Sequence, residues 1–450
     1  MTSVPRVVVA APSSGAGKTT VAVGLMAALR RSGLDVAGFK VGPDYIDPGF
    51  HAVATGRPGR NLDPMLSGED RVAALFAHGS RDADIAVIEG VMGLYDGALG
   101  TDGHASTAHV ARLLQAPVVL VVDAAAAGRS VGAVVAGFNT YDESVRIAGV
   151  ILNKVGSDRH EAEVRAGVEP TGVPVLGVLR RDGRLTVPSR HLGLVPADEQ
   201  QAQADQAVDA AAGLIAAGTD LRAIVAVANR TAPLDVTPWD ARAEVGEPAP
   251  GRPVVAMAGG PVFSFRYTET AELITAAGAE VVSFDPVLDE SLPEATSALC
   301  FGGGFPELHA EALSDNKNLR TEVAAAVSQG MPVVAECAGL LYLCRELDGH
   351  PMADVIAATG QMTERLTLGY RTAVAATDGF LYDQGRRVRG HEFHRTVVEY
   401  DAGHDEYAWH SDHGAEGVAG RRMHASYLHL HWTATPDVAT RLVRAAAHRT

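Results

Sequence analysis

Residues 6–20 read RVVVAAPSSGAGKTT. The apolar run Val7–Ala11 ends in a Ser/Gly turn, as a short strand buried on both faces does. From Lys18 to Arg31 the spacing of Val21, Leu25 and Leu29 predicts a helix with one apolar face. A strand, a tight loop and a helix N-terminus together aim backbone N–H groups and the positive helix end at a phosphate. The pattern G-x-x-x-x-G-K-[ST] is met at Gly17, Lys18 and Thr19, with Pro12 in place of the first glycine. Lys18 would reach the β- and γ-phosphates, and the Thr19 hydroxyl would bind Mg²⁺. Ser14, Gly15, Ala16, Gly17 and Thr20 complete the expected nucleotide contacts. The plainer alternative is an ordinary strand-turn-helix with a buried lysine.

Outward from this loop, strand-like runs recur at 35–40, 84–89, 117–122, 147–152 and 173–178, with helical patterns between several of them. Such alternation predicts an α/β fold with a parallel sheet covered on both faces. Residues 198–228 read as closing helices. The stretch 231–252 is proline-rich and aperiodic, which marks a boundary. The alternation restarts with strands at 253–258, 279–284, 298–301 and 331–336 and helices at 267–277, 318–329 and 338–347. Beyond 360 the strands look antiparallel or irregular, up to 423–431. Two α/β domains are expected, 1–235 and 253–450, joined by a linker at 236–252.

Composition sets limits. In 450 residues, 47% are hydrophobic, enough for a large core and against a disordered chain. A net charge of −16 argues against general nucleic-acid binding, which needs clustered Lys and Arg. Three cysteines, Cys300, Cys337 and Cys344, form no CxxC pair and no disulfide framework. No signal peptide and no membrane-spanning run is read, so a cytoplasmic location is expected, with no membrane partner.

Two acidic segments lie after strands of the first domain, KVGPDYIDPGF (40–50) and EGVMGLYDG (89–97). Carboxylates at strand C-termini would face a bound nucleotide. Glu89 is the expected Mg²⁺ ligand opposite Thr19, directly or through water. Asp44 and Asp96 are candidates for Mg²⁺ or for placing a substrate; the alternative is that they cap helices. Asn153, after another strand, is a candidate for the adenine edge or an ordinary turn residue.

In the second half, MPVVAECAGLLYL (331–343) predicts a strand ending at Cys337 and a helix opening after it. Such an elbow exposes the sulfur beside a helix N-terminus, which favours thiolate. The glycine run of FGGG (301–304) can offer N–H groups to an oxyanion. SYLHLH (426–431) is expected as a strand with His429 and His431 on one face. Cys300 and Cys344 read as core residues. GHEFH (390–394) does not have the HExxH spacing of a zinc site, and its histidines are read as polar groups facing a pocket.

The chain resembles the cobyrinic/hydrogenobyrinic acid a,c-diamide synthases of cobalamin biosynthesis along nearly its whole length. The resemblance is carried by APSSGAGKTT, KVGPDYIDPGFH, EGVMGLYDG, RHLGLV (190–195), FGGGFPE, AECAGLLYL, RGHEFH and SYLHLHW. It implies a dethiobiotin-synthetase-like phosphate-loop domain followed by a class I glutamine amidotransferase of flavodoxin-like fold. It implies Asp44, Glu89 and Asp96 as site carboxylates with Tyr45 and Ile46 beside them at the substrate. It implies Cys337 as nucleophile and His429 as its base, with His431 where most class I relatives carry glutamate. N–H groups near Gly303 and Ala338 would hold the oxyanion. ATP, Mg²⁺ and glutamine are the implied co-reactants and a corrinoid the substrate, with a homodimer among the assemblies left open. Lys40, Arg190 and His191 would offset repulsion of a polyanionic substrate. The competing readings are a phosphate-loop switch ATPase, which leaves Cys337 idle, and an amidotransferase on another substrate, such as a different tetrapyrrole.

Overall fold

The computed structural model describes residues 2–181, 189–190, 193–194 and 196–448. The side chains of Arg190 and His191, and most of RHLGLV with them, lie outside the described residues. The chain forms two compact units, Met1–Trp239 and Asp240–Thr450.

The first unit is built on seven parallel strands. These are β1 (Arg6–Ala10), β2 (Val36–Val41), β3 (Arg60–Leu62), β4 (Ile85–Glu89), β5 (Val118–Asp123), β6 (Ile147–Val155) and β7 (Val175–Arg180). Their order is β3-β2-β4-β1-β5-β6-β7, and every pairing is parallel. β1, β2 and β4 are buried along their whole length, which is why they read as continuous apolar runs. Helix α1 (Lys18–Arg31) buries Val21, Leu25 and Leu29 as its spacing predicts. It also buries Ala22, Val23, Met26 and Ala27, because the helix Gln201–Gly218 covers its other side; Ala211 and Ile215 lie against Gly24. Arg6, fully buried, donates to the carbonyls of Leu114 (2.5 Å), Val4 (3.2 Å) and Ala232 (2.7 Å). Those bonds compensate a charge that burial otherwise disfavours.

The stretch read as a linker contributes to both units. Trp239 is 4% exposed, donates its backbone N–H to Ala74 and meets His78 edge-on. Asp240 caps the next helix, Ala241–Val245, which belongs to the second unit.

The second unit holds β8 (Val254–Ala258), β9 (Glu280–Phe284), β10 (Thr296–Phe301), β11 (Val333–Glu336), β12 (Ile356–Ala375), β13 (Arg387–Tyr400), β14 (Val418–Ala419) and β15 (Met423–Ser426). One sheet runs β9-β8-β10-β11-β15 in parallel, the 2-1-3-4-5 order of flavodoxin-like folds, with β14 antiparallel at its edge. A second sheet is dominated by the antiparallel pair β12 and β13. The expected helix at 338–347 stops at Leu343, and Cys344–Leu347 is a strand. There the carbonyls of Tyr342, Leu343 and Cys344 accept from Ala353, Val355 and Asp354, which displaces the helical pattern. Among the described residues no helix is long and apolar enough to cross a membrane.

His424 on β15 packs its ring 5.1 Å from those of Tyr382 and Trp409. Burial drives its pKa down to about 3, and does the same to His429. The unfolded chain therefore binds more protons than the folded one below ~6.5, the ordinary histidine value. Stability should fall as pH drops from ~6.5 toward ~3, by about 1.4 kcal/mol per pH unit for each such group. Urea unfolding of the His424→Asn variant across this range should show a slope smaller by about one proton; an unchanged slope would contradict a buried neutral His424.

Candidate functional site

The first site lies at the C-terminal edge of the seven-stranded sheet. Ser14, Gly15, Gly17, Lys18, Thr19, Thr20, Lys40, Asp44, Val91 and Met92 line a cavity of about 370 Å³. Gly17 takes φ 94° at the mouth of α1, and a Cβ there would run into the Asn153 amide, so the position requires glycine. Lys18 folds onto the loop, donating to the Ser13 carbonyl at 3.2 Å; burial, then repulsion from Lys40, lowers its pKa.

Below the loop lies a buried charge cluster. The Thr19 hydroxyl donates to Glu89 Oε1 at 2.5 Å and lies 3.4 Å from Asp47 Oδ2. Lys40 Nζ lies 2.5 Å from Asp47, 3.0 Å from Glu89 and 3.9 Å from Asp44, and donates to the Gly90 carbonyl at 3.2 Å. His51 Nε2 meets Glu89 Oε2 at 2.7 Å. Burial alone would raise the Glu89 pKa. Lys40 and the His51 hydrogen bond overcome it and hold the carboxyl well below the usual carboxylate range. Asp47 goes the other way, raised by burial and by its neighbours Asp44 and Glu89 against the pull of Lys40.

The expected residues divide accordingly. Lys18, Thr19 and Asp44 line the cavity, and Glu89, fully buried, meets the Thr19 hydroxyl beside it. Asp44 Oδ1 also accepts the N–H groups of Ile46 and Asp47, both at 2.9 Å, so it shapes the turn into α2 (Asp47–Thr55). Asp96 accepts from the Gly93 N–H within its own loop. Tyr45 and Ile46 are buried, at 8% and 6% exposed. Asn153 donates to Ala16 O at 2.9 Å and accepts from the Lys154 N–H, so its amide engages the backbone. Lys154 donates to Gly15 O and pairs with Asp123 at 2.6 Å. Sequence reasoning misses Asp47 and His51, although their i,i+4 spacing at the start of α2 places both on one face. Lys40, expected to face the substrate, turns inward to the carboxylates.

The second site lies around Cys337. The residue follows β11 and precedes the helix Ala338–Leu343 at φ 50°, ψ −98°. A non-glycine residue held there carries strain of about 1–3 kcal/mol, of the kind functional sites store. Its N–H donates to Ser426 O at 2.7 Å, and Sγ lies 4.0 Å from Phe393 O. Burial, with Glu307 adding, pushes the thiol well above its ordinary range, against the N–H groups of Gly304 and Ala338. At the sulfur, the N–H of Ala338 is one of the two expected, and that of Gly304 lies one residue along from the expected Gly303. Gly303 instead makes room for His429, since a Cβ there would overlap its imidazole. Cys337 and His429 thus border the same glycine turn.

The expected strand over 426–431 ends at Ser426. Ser426 Oγ accepts from Leu428 N–H and donates to Glu416, and the Tyr427 N–H donates to Glu416, so side chains replace the ladder. Strand alternation therefore does not set the histidines. His429 bridges to His391 and has Glu336 Oε2 3.8 Å from its Nδ1. His431 has Thr433 Oγ1 at 2.7 Å, Glu269 at 3.9 Å and the Tyr267 ring at 4.3 Å. Cys300 and Cys344 are buried core residues, their thiols raised to about 12 by burial. His391 is 5% exposed on β13, beside a 2.5 Å pair of Arg371 with Glu392.

These two arrangements define the class: a phosphate-loop nucleotide-binding domain joined to a glutamine amidotransferase domain. Residues 7–195 match the CobQ/CobB/MinD/ParA nucleotide binding domain, and residues 254–437 the CobB/CobQ-like glutamine amidotransferase domain. The chain is 56% identical to a hydrogenobyrinate a,c-diamide synthase of Streptomyces coelicolor, across 98% of this chain and 97% of that one. It is 52% identical to the Mycobacterium tuberculosis protein of the same name, across 99% of both. A Synechococcus cobyrinate a,c-diamide synthase is 40% identical across 98% of both. The chain belongs to the a,c-diamide synthase family.

A raised thiol pKa makes Cys337 slow toward alkylation in the free protein. Iodoacetamide labelling followed by peptide mass spectrometry should be slow at pH ~7 and keep rising beyond pH ~9, since only thiolate reacts. A plateau reached near pH ~7 would show an activated thiolate instead.

Proposed function

We propose that this chain amidates the a and c acetate side chains of hydrogenobyrinic acid, using ATP and glutamine. The observation that carries the reading is the full-length identity of 52–56% with relatives of that name, above the 38–43% found with cobyrinate a,c-diamide synthases. The geometry supplies chemistry for both half-reactions.

In the second unit, Cys337 Sγ attacks the glutamine side-chain amide and its proton passes through His429 to the departing ammonia. The Gly304 and Ala338 N–H groups face the developing oxyanion. Water then hydrolyses the thioester to glutamate. In the first unit, a substrate carboxylate attacks the γ-phosphorus of ATP and expels ADP, and ammonia then displaces phosphate from the acyl phosphate. Lys18 and the loop N–H groups orient the phosphates, so positioning and charge do most of the work. The Thr19 hydroxyl with Asp47 and Glu89 is a set of hard oxygen donors that fits Mg²⁺, with Asp44 at the rim. Mg²⁺ there would neutralise charge on the β- and γ-phosphates. His51 keeps the Glu89 carboxylate oriented. A corrinoid substrate brings many carboxylates to a chain of net charge −16, so local groups rather than long-range steering must hold it.

Mass spectrometry tests the reading directly. With ATP, Mg²⁺ and glutamine, hydrogenobyrinic acid should undergo two successive acid-to-amide mass changes, faster than cobyrinic acid. The Cys337→Ala variant should lose about 1,000-fold or more of glutamine-supported amidation and keep ammonium-supported amidation within about twofold. Thr19→Ala and Glu89→Gln should lose both. Glutamine hydrolysis without any mass change on either corrinoid would overturn the substrate assignment.

A further inference from the structure

Class I relatives commonly place a glutamate two residues after the catalytic histidine, and here that position is His431. Its Nδ1 meets Thr433 Oγ1 at 2.7 Å, and Glu269 lies 3.9 Å from its Nε2. The carboxylate at His429 comes instead from the opposite direction in the chain. Glu336 is the residue immediately before the nucleophile, at the last position of β11. Its Oε2 lies 3.8 Å from His429 Nδ1, and its side chain is 19% exposed, while that of His429 is fully buried. The carboxyl is fixed by bonds from the Leu430 N–H and the Trp432 side chain, which lie one and three residues beyond His429. Gly303 leaves the space that the His429 ring fills, since a Cβ there would meet its Cε1. The carboxyl thus sits between the nucleophile strand and the histidine segment.

We infer that Glu336 is the positioning residue for His429, supplying from the elbow itself the carboxylate that the +2 position lacks. The inference rests on the reading of Cys337 and His429 as the glutamine-hydrolysing pair. With Nδ1 turned to Glu336, Nε2 is the nitrogen that takes the thiol proton and returns it to ammonia. Burial raises the Glu336 carboxyl to about 8, and the imidazolium formed in between, 3.8 Å away, favours its ionised form. At 3.8 Å the pair is beyond a hydrogen bond, and such contacts tighten when substrate binds.

The test uses the full-length Glu336→Gln variant, which keeps the shape and removes the charge. Its kcat for glutamine hydrolysis should fall about 100-fold or more while KM for glutamine stays within about threefold. Ammonium-supported amidation should stay within about twofold, and Glu336→Asp should recover part of the lost kcat. A Glu336→Gln variant with kcat within about twofold of the unaltered protein, or with a raised KM and unchanged kcat, would overturn the inference. A second measurement does not depend on the variant folding. In ¹⁵N-histidine NMR of the unaltered chain, His429, assigned by its loss in His429→Gln, should carry its proton on Nδ1; a proton on Nε2 alone would overturn the inference. Failure of the unaltered protein to hydrolyse glutamine at all would instead defeat the reading of the Cys337–His429 pair.

Discussion

One carboxylate organises the first unit's site. Glu89 is 0% exposed and simultaneously meets Thr19, Lys40 and His51. A charge so buried is tolerated only when its lone pairs have donors and an opposite charge is near. Its donors come from three places: the first turn of α1, the C-terminal half of β2, and α2. The register of β2 against β4, which sets Lys40 opposite Glu89, is therefore tied to the entry of α1 and the angle of α2. The phosphate loop above inherits its position from this arrangement, with Asn153 and Lys154 of β6 clasping Ala16 and Gly15 from the other side.

The second unit uses burial differently. Cys337, His429 and Glu336 are each pushed toward their neutral form, the thiol and carboxyl upward and the imidazole downward. Removal from water is the leading cause in all three. Negative charge that appears at the sulfur meets the N–H groups of Gly304 and Ala338, which favour it against burial.

Much of this was legible in the sequence because it rests on local pattern. The strands of the first sheet are buried on both faces, so they appear as unbroken apolar runs, and GKTT fixes loop and helix together. Cys337 was legible because a strand-to-helix elbow is a short-range signal. What was not legible depends on partners distant in the chain. The inward turn of Lys40 requires Glu89, 49 residues away. The strand expected across 426–431 fails because Glu416 draws off Ser426 and Tyr427, a bond no alternation pattern contains. Asn153 spends its amide on a loop 137 residues earlier. Asp47 and His51 share a helix face and are local to each other, yet what makes them part of the site is again Lys40 and Glu89, on two other strands.

Trp239 bears on how the two catalytic halves could exist as separate polypeptides. Its indole is buried against the first unit, and the next residue already caps a helix of the second. The boundary between the two units falls at the peptide bond between Trp239 and Asp240. A gene divided a few codons upstream, inside the proline-rich stretch, would yield a synthetase half with an open apolar socket beside His78 and a glutaminase half trailing an unburied tryptophan. Both fragments would be prone to association through the same displaced side chain. Fission at 239/240 would leave each half with the residues it packs.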